Sequence, residues 1–274
     1  MHIPRYTSNE LYRRLHVGHP TDIEIYRRLS SGAERVLDLG CGWGRIALTL
    51  AEAGYDVVGV DLEEEFLKEC REQVRVRGLA SRLHVYQADV CAVVLDHYAQ
   101  AHGPFDRVLL PYNTLYALGG AERVTHCLSA LVEHLTPEAE VWFDVYDVDE
   151  YHASFDGEED SSADEEQDPT ASWEDSGKTV DVFELSQASC ALQQLTVNYQ
   201  ARIRETGQCV GEQTLRHDYL LSNDLDIVFG AAGLELVGCY PRSTLLADPS
   251  ALPEEREEED EQLFYLAELR GKNT

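Results

Sequence analysis

Between residues 34 and 146, short runs of mostly β-branched apolar residues alternate with longer stretches of helical period. This is the pattern of βαβ units wound around a parallel sheet. RVLDL (35–39), DVVGVDL (56–62), LHVYQADV (83–90), FDRVLLPY (105–112) and EVWFDVY (140–146) read as strands, each short and almost wholly apolar, as strands covered on both faces must be. RIALTLAEAG (45–54), EEEFLKECREQVRVRG (63–78) and the stretch 121–135 read as helices, the second closed by Gly78 and the third ending before Pro137.

After Tyr146 the rhythm changes. Residues 147–176 are acidic, with Gly, Ser and Pro and few apolar positions, which predicts a flexible surface loop. VDVFELS (180–186), LQQLTVNYQARIRE (192–205) and CVGEQTLRHDYLLS (209–222) follow with short turns between them, so the inserted segment 177–221 is expected to be an antiparallel sheet. Ser222 caps a helix that Gly233 closes, and LELVGCY (234–240) and LFYLAEL (263–269) finish as strands. The expected organisation is therefore a helical segment at 1–33, an α/β core at 34–146 and 222–270, the acidic loop, and the inserted sheet.

Composition narrows the partners. The 274 residues carry a formal net charge of -29. Residues 147–168 hold 11 acids and no Lys or Arg, and residues 254–261 hold 7 acids beside Arg256. Such a surface repels a phosphate backbone, so no nucleic-acid partner is expected. Only three lysines occur, Lys68, Lys178 and Lys272; this balance resembles proteins of salt-adapted organisms, and a pair of solvated acidic loops explains it equally well. Seven scattered cysteines without a C-x-x-C pair point to reduced thiols and no metal site. The polar N-terminus lacks a signal-peptide core and no long apolar run occurs, which predicts a cytoplasmic protein without a membrane span.

The candidate chemistry starts where the first strand ends. Asp38 precedes Gly40-Cys41-Gly42-Trp43-Gly44, a turn whose glycines allow close backbone approach to a ligand at a helix start. A dinucleotide-binding turn would place a third glycine where Arg45 stands, and Asp38 would repel a pyrophosphate while suiting an ammonium group. Asp61 ends the second strand, 21 residues beyond Gly40, where a carboxylate accepts from both ribose hydroxyls. Asp89 ends the third, placed for an exocyclic adenine amine.

In this order and spacing, VLDLGCGWGR (36–45), Asp61 and Asp89 resemble class I S-adenosylmethionine-dependent methyltransferases. The resemblance implies an α/β fold, a Rossmann-like doubly wound seven-stranded sheet with an inserted antiparallel β segment, and S-adenosyl-L-methionine as cofactor. It implies cofactor contacts from Asp38, Gly40, Cys41, Gly42, Asp61, Leu62, Asp89, Val90 and Leu110, and a lid at 1–33 with Tyr12, beside Tyr6 and His16, reaching inward. The inserted strands are similar to those of small-molecule methyltransferases, including amino-sugar N-methyltransferases.

Catalytic candidates come from the carboxyl ends of the strands, where open α/β sheets bind ligands. They are Tyr112 and Asn113 after the fourth strand and Tyr146 at the end of the fifth, with Asp144 and Tyr116 nearby, and His217 on the inserted sheet beside Tyr219. The two tyrosines 112 and 146 would offer ring faces to a cation; packing explains them as well, and hydrogen bonding explains His217. The expected reaction is methylation of a small metabolite, at nitrogen rather than oxygen, with a homodimer possible through the inserted strands. A nicotinamide-dependent oxidoreductase and a non-catalytic cofactor-binding module are the alternatives.

Overall fold

The computed structural model describes residues 3–91, 101–154, 160–161, 168–246 and 262–269. Two compact units emerge, one of residues 19–149 with 220–274 and the other of residues 1–18 with 150–219.

The larger unit is built on a seven-stranded sheet in the order β11-β12-β5-β4-β1-β2-β3. Its strands are β1 (Arg35–Leu39), β2 (Asp56–Asp61), β3 (Leu83–Gln87), β4 (Phe105–Leu110), β5 (Leu135–Tyr146), β11 (Leu234–Pro241) and β12 (Gln262–Leu269). β1 pairs in parallel with β2 and β4, β2 with β3, and β4 with β5, whereas β12 runs antiparallel to both β5 and β11. Chain order reverses between β1 and β4, and such a switch point opens a crevice at the carboxyl ends of the two strands. The buried positions of β1, β2 and β4 are contiguous, because helices cover both faces. Val36, Val57, Leu109, Trp142 and Phe264 lie in one core cluster with Ile25 and Tyr26 of α2 (Asp22–Leu29) and Leu48, Leu50 and Ala51 of α3 (Ala47–Glu52). Phe143 stacks between Phe229 at 4.9 Å and Tyr265 at 5.0 Å.

The larger unit differs from the sequence reading in several places. The helix expected at 121–135 ends at Val132, and β5 starts at Leu135 with Pro137 inside it. A register irregularity between Phe105 and Arg107 on β4 separates the pairing of Leu135 from that of Glu140, so the missing proline N–H falls where the ladder is already interrupted. α3 starts two residues later than expected, after turns through Arg45 and Ile46. A short helix over Arg242–Leu246 was not expected.

The smaller unit is an antiparallel sheet, β10-β9-β8-β6, with β7 also pairing with β8. Its strands are β6 (Asp160–Ser161), β7 (Ala171–Asp175), β8 (Lys178–Ser189), β9 (Gln194–Ile203) and β10 (Cys209–Asp218). Every second residue at the end of β9 is buried, the alternation of a sheet covered on one face. The cover is α1 (Ser8–Leu15), whose Leu11 joins Val180, Val197, Ala201 and Val210. Thr7 and Glu10 form a reciprocal capping box that starts the helix, at 3.2 and 2.7 Å. Cys190–Leu192 form a tight turn, closed by Gln193 at φ 49, so β9 begins at Gln194 instead of 192.

Two domain expectations are corrected here. The segment 1–33 is not one piece: α1 belongs to the antiparallel unit and α2 to the seven-stranded unit. The segment 147–176 is not all loop either, since a helix spans Asp149–Ser154 and β7 spans Ala171–Asp175. β7 is held by polar chemistry that a hydrophobic count misses. Trp173 Nε1 donates to Tyr6 Oη at 2.9 Å, Tyr6 donates to Asp175 at 2.6 Å, and the Arg14 guanidinium lies over both rings at 5.3 and 5.1 Å. The remainder of that acidic run, and the acids at 254–261, lie outside the described residues.

Candidate functional site

The glycine turn leaves β1 at the switch point and is anchored to β2. The Gly40 and Cys41 amides donate to the Val60 carbonyl at 2.8 and 3.1 Å, and the Gly42 amide donates to Asp61 Oδ2 at 2.7 Å. Gly40 has φ +74, and a Cβ there would sit 2.7 Å from Thr114 Oγ1. The turn thus runs hard against the segment after β4. Gly42, at φ +53, faces open space, with nothing within 4 Å of an added Cβ. Cys41 is buried, and burial drives its thiol pKa up, so it packs and is no nucleophile. Gly40→Ala is expected to destabilise the fold by roughly 2–4 kcal/mol through strain and overpacking. Gly42→Ala should cost only about 1–2 kcal/mol of left-handed strain. Chemical denaturation of the two variants checks that ordering.

Asp38 is the unusual group. It is 1% exposed, and neither carboxyl oxygen has a hydrogen-bond partner among the described residues. Burial raises its pKa to about 7; Arg45 opposes the shift and Asp61 adds to it, while the Ala47 amide helps the anion only weakly, without hydrogen-bond geometry. An unpaired buried carboxyl is costly, and a bound cation would relieve that cost. Asp61 also has a raised pKa, from burial first, against the Glu63 and Gly42 amides that donate to it at 2.8 and 2.7 Å. Each of its oxygens keeps capacity for a further hydroxyl. Beside it, the Leu62 side chain is 62% exposed, an apolar surface at the strand end.

Asp89 is more engaged than the sequence suggested. It accepts the Cys91 amide at 2.9 Å and a two-oxygen contact from Arg123 at 3.0 and 3.2 Å. The Cys91 amide and then Arg123 hold its carboxyl below the usual range against burial. Val90 is buried at 8% and Leu110 at 0%, so Leu110 has only its backbone to offer a ligand.

The residues after β4 and at the end of β5 converge as expected, in different roles. Tyr112 and Asn113 are both left-handed, at φ 58 and 59, a strained conformation for a side-chain-bearing residue. Asp144 secures it. Its Oδ1 accepts the Tyr112 amide at 2.7 Å and the Tyr26 hydroxyl, its Oδ2 accepts Gln262, and its carbonyl accepts the Asn113 amide at 3.1 Å. Asn113 Oδ1 accepts the Tyr146 amide at 3.0 Å and Gln262 Nε2 at 3.3 Å. Burial raises the Asp144 pKa to about 6 against the Tyr26 and Tyr112 donors. Asn113 and Asp144 therefore tie three strand ends together, and the expectation of Asn113 as a catalytic group gives way to a positioning one. Tyr112 gives a ring face to Arg45 at 5.6 Å instead of leaving both for a ligand. Arg45 in turn pairs with buried Asp22 at 3.2 Å, where Arg242 also arrives at 3.8 Å. Tyr146 is half-buried and meets Tyr116 edge-on at 5.3 Å.

Sequence reasoning missed Tyr26, Asp22, Arg123, Arg242 and Gln262. No local motif marks them, and only Arg123, one turn before an inward-facing Cys127 on its helix, carried a usable signal. His217 and Tyr12 belong to the antiparallel unit. There, Tyr12 lies 4.5 Å from the His16 ring, which meets Tyr199 edge-on at 5.3 Å. Burial, and then His16, keep the His217 pKa at about 4, so this imidazole is neutral at physiological pH and buried at 8%. Among the described residues no group of three or more His, Cys, Asp or Glu side chains could hold a metal ion, and no helix is long and apolar enough to cross a membrane.

Comparison with known proteins bears on this crevice. A family model for a methyltransferase domain matches residues 36–138, the stretch from β1 through the start of β5. The putative methyltransferase YqeM of Bacillus subtilis is 31% identical over 112 residues, covering 41% of this chain and 42% of YqeM. The chain thus aligns with about two fifths of that relative's length. Among solved structures, the CcbJ methyltransferase of Streptomyces caelestis superposes with a TM-score of 0.71 at 19% identity, covering 92% of this chain and 91% of CcbJ. The amino pentose methyltransferase CalS10 of Micromonospora echinaspora, solved with S-adenosylmethionine bound, gives 0.61 at 18% identity over 97% and 99%. Residues 36–138 thus match a methyltransferase domain, and the seven-stranded sheet with its switch-point glycine turn has the Rossmann-like fold of S-adenosylmethionine-dependent methyltransferases.

Proposed function

We propose that this protein methylates the nitrogen of a small amine-bearing metabolite. The observation that carries the reading is Asp38, a buried carboxyl beside the switch-point glycine turn whose oxygens have no hydrogen-bond partner among the described residues. In this reading it receives the ammonium of the cofactor's methionine part. Asp61 takes the ribose hydroxyls, Leu62 and the Val90 backbone flank adenine, and the open side of Gly42 lets the ligand lie against the turn. Asp89 reaches the adenine amine with the oxygen capacity left beside Arg123. Bound there, the cofactor supplies a methyl group on a positively charged sulfur.

The acceptor amine needs orientation and exclusion of water more than a strong base, because its lone pair is the nucleophile once it is neutral. Tyr146, poised by Asn113, and the Tyr112 backbone, poised by Asp144, position that acceptor. The name of CalS10, an amino pentose methyltransferase matched over nearly its whole length, supports an amine on a sugar-like substrate. The charge of -29 supports a small cationic acceptor over RNA.

Incubation with radiolabelled S-adenosylmethionine and a panel of small amines, amino sugars included, should label an N-methyl product. Label appearing only in RNA or polypeptide would overturn the acceptor class. Thermal protection by NAD but not by S-adenosylhomocysteine would overturn the cofactor assignment.

A further inference from the structure

At the end of the seven-stranded sheet opposite the glycine turn, the amino ends of β1, β2 and β3 and the residues before β4 surround a concavity of about 220 Å³. Arg35, Asp56, Ser81, His84, His102 and Gly103 are among the residues that line it. Asp56 begins β2 and Asp61 ends it, so about 16 Å of strand separates the concavity from the cofactor crevice, at about 3.3 Å per residue. Methyl transfer uses none of these side chains.

Two imidazoles form the centre of the lining. The His84 and His102 rings stack at 4.4 Å, 24° from parallel, and the Tyr86 hydroxyl meets His102 Nε2 at 2.6 Å. A hydroxyl that donates to Nε2 leaves the proton of the neutral ring on Nδ1, as a donor. The carboxylates at these strand starts are already engaged. Asp56 takes the Arg82 guanidinium at 2.6 Å, and Asp106 takes the Glu34 and Arg35 amides at 2.7 and 3.1 Å. The Arg35 guanidinium, by contrast, makes one long hydrogen bond among the described residues, to the Gly103 carbonyl at 3.4 Å. A guanidinium, two imidazoles and the Ser81 hydroxyl thus meet in one concavity of a chain that carries 51 acids and 22 Lys and Arg.

We propose that this concavity binds a small phosphomonoester, with Arg35, His84 and His102 holding the phosphate. A phosphomonoester carries a charge of about -1.5 to -2 at pH 7. The guanidinium supplies one positive charge, and one proton on the stacked imidazoles supplies the second. Burial, and then His84, lower the His102 pKa, so that proton arrives with the ligand, and two rings this close disfavour a third charge. A metal ion is the poorer occupant, because no group of three or more His, Cys, Asp or Glu side chains among the described residues could hold one. The net charge of -29 is screened beyond about 8 Å at physiological salt, so the local set of donors decides.

Calorimetric titration of glycerol 3-phosphate into the full chain tests the site. The expected result is one site per chain with a Kd below about 1 mM at pH 6.5, roughly tenfold weaker at pH 8.0, where a proton must be taken up. Arg35→Gln and His84→Gln should each weaken binding about tenfold. Arg35 is exposed, so that variant should keep the parent's melting temperature and remain readable if His84→Gln folds poorly. Saturating S-adenosylhomocysteine should leave the affinity unchanged, and inorganic phosphate should bind several-fold more weakly because it fills less of the concavity. Inorganic phosphate binding as tightly as the ester would overturn the ester assignment. Glycerol or succinate binding as tightly would overturn the phosphate. Displacement by S-adenosylhomocysteine, unchanged affinity in a folded Arg35→Gln, or no binding of glycerol 3-phosphate would overturn the site itself.

Discussion

Asp144→Ala is expected to cost about 4 kcal/mol of stability and lower the melting temperature by roughly 10 °C. The carboxylate accepts from Tyr26, the Tyr112 amide and Gln262, and removing it strands three donors in a site that is 3% exposed. A buried donor left alone costs about 1–3 kcal/mol, and part of that is recovered if water enters the vacated space. The left-handed pair Tyr112 and Asn113 would lose the contact that makes its strain tolerable, so the segment after β4 should relax and activity should fall with stability. Asp144→Asn is the informative comparison. Its amide oxygen can still serve Tyr26 and Tyr112, but its NH2 would confront the Gln262 NH2. Turning Gln262 over would set its oxygen against Asn113 Oδ1, which already accepts from Tyr146. The Asn variant should therefore fall between parent and Ala, at about 1–2 kcal/mol. Urea denaturation at pH 8, where Asp144 is ionised in both states, makes that comparison. An Ala variant as stable as the parent would show that the clamp holds nothing.

Asp38→Asn should behave in the opposite way, losing affinity and keeping stability. Burial raises the Asp38 pKa from 3.8 to about 7, so the folded state takes up a proton that the unfolded chain has lost. The group's contribution to stability is present below pH 3.8, declines as pH rises to 7, and is constant beyond. At pH 8 the ionised carboxyl is a liability of up to about 4 kcal/mol, which the neutral amide does not carry. Removal of the charge that meets the ligand ammonium should weaken S-adenosylhomocysteine at least about 100-fold, as loss of one partner in a buried charged pair does. A variant that melts lower than the parent and binds equally well would assign Asp38 a packing role instead.

These two residues show what a linear sequence discloses. Asp38 was legible because the glycine turn follows it directly, and the strands β1 to β5 were legible because burial on both faces leaves unbroken apolar runs. Asp144 was visible as a strand end, but its meaning was not. Tyr26 lies 118 residues before it and Gln262 118 residues after it, so no spacing rule joins them. Likewise Asp22, Arg45 and Arg242 meet from three separated segments. β7 escaped because ASWED holds its half-buried tryptophan through a hydrogen bond and a cation instead of an apolar stripe. The union of α1 with the inserted sheet was hidden for the same reason as the Asp144 clamp, since partners 169 residues apart, such as Tyr6 and Asp175, leave no periodic trace. The inserted sheet itself was predictable, because one-sided burial writes alternation into its strands.

The account turns on a cation meeting the Asp38 carboxylate in the glycine-turn crevice. Isothermal titration of S-adenosylhomocysteine into the parent at pH 5.5 and pH 8.0, in buffers of different ionisation heat, tests this most directly. The predicted result is one site per chain that binds about tenfold or more tightly at the higher pH, with close to one proton released at the lower pH as Asp38 ionises to meet the ligand. Affinity that is the same at both pH values, with no proton released and no change in Asp38→Asn, would contradict it.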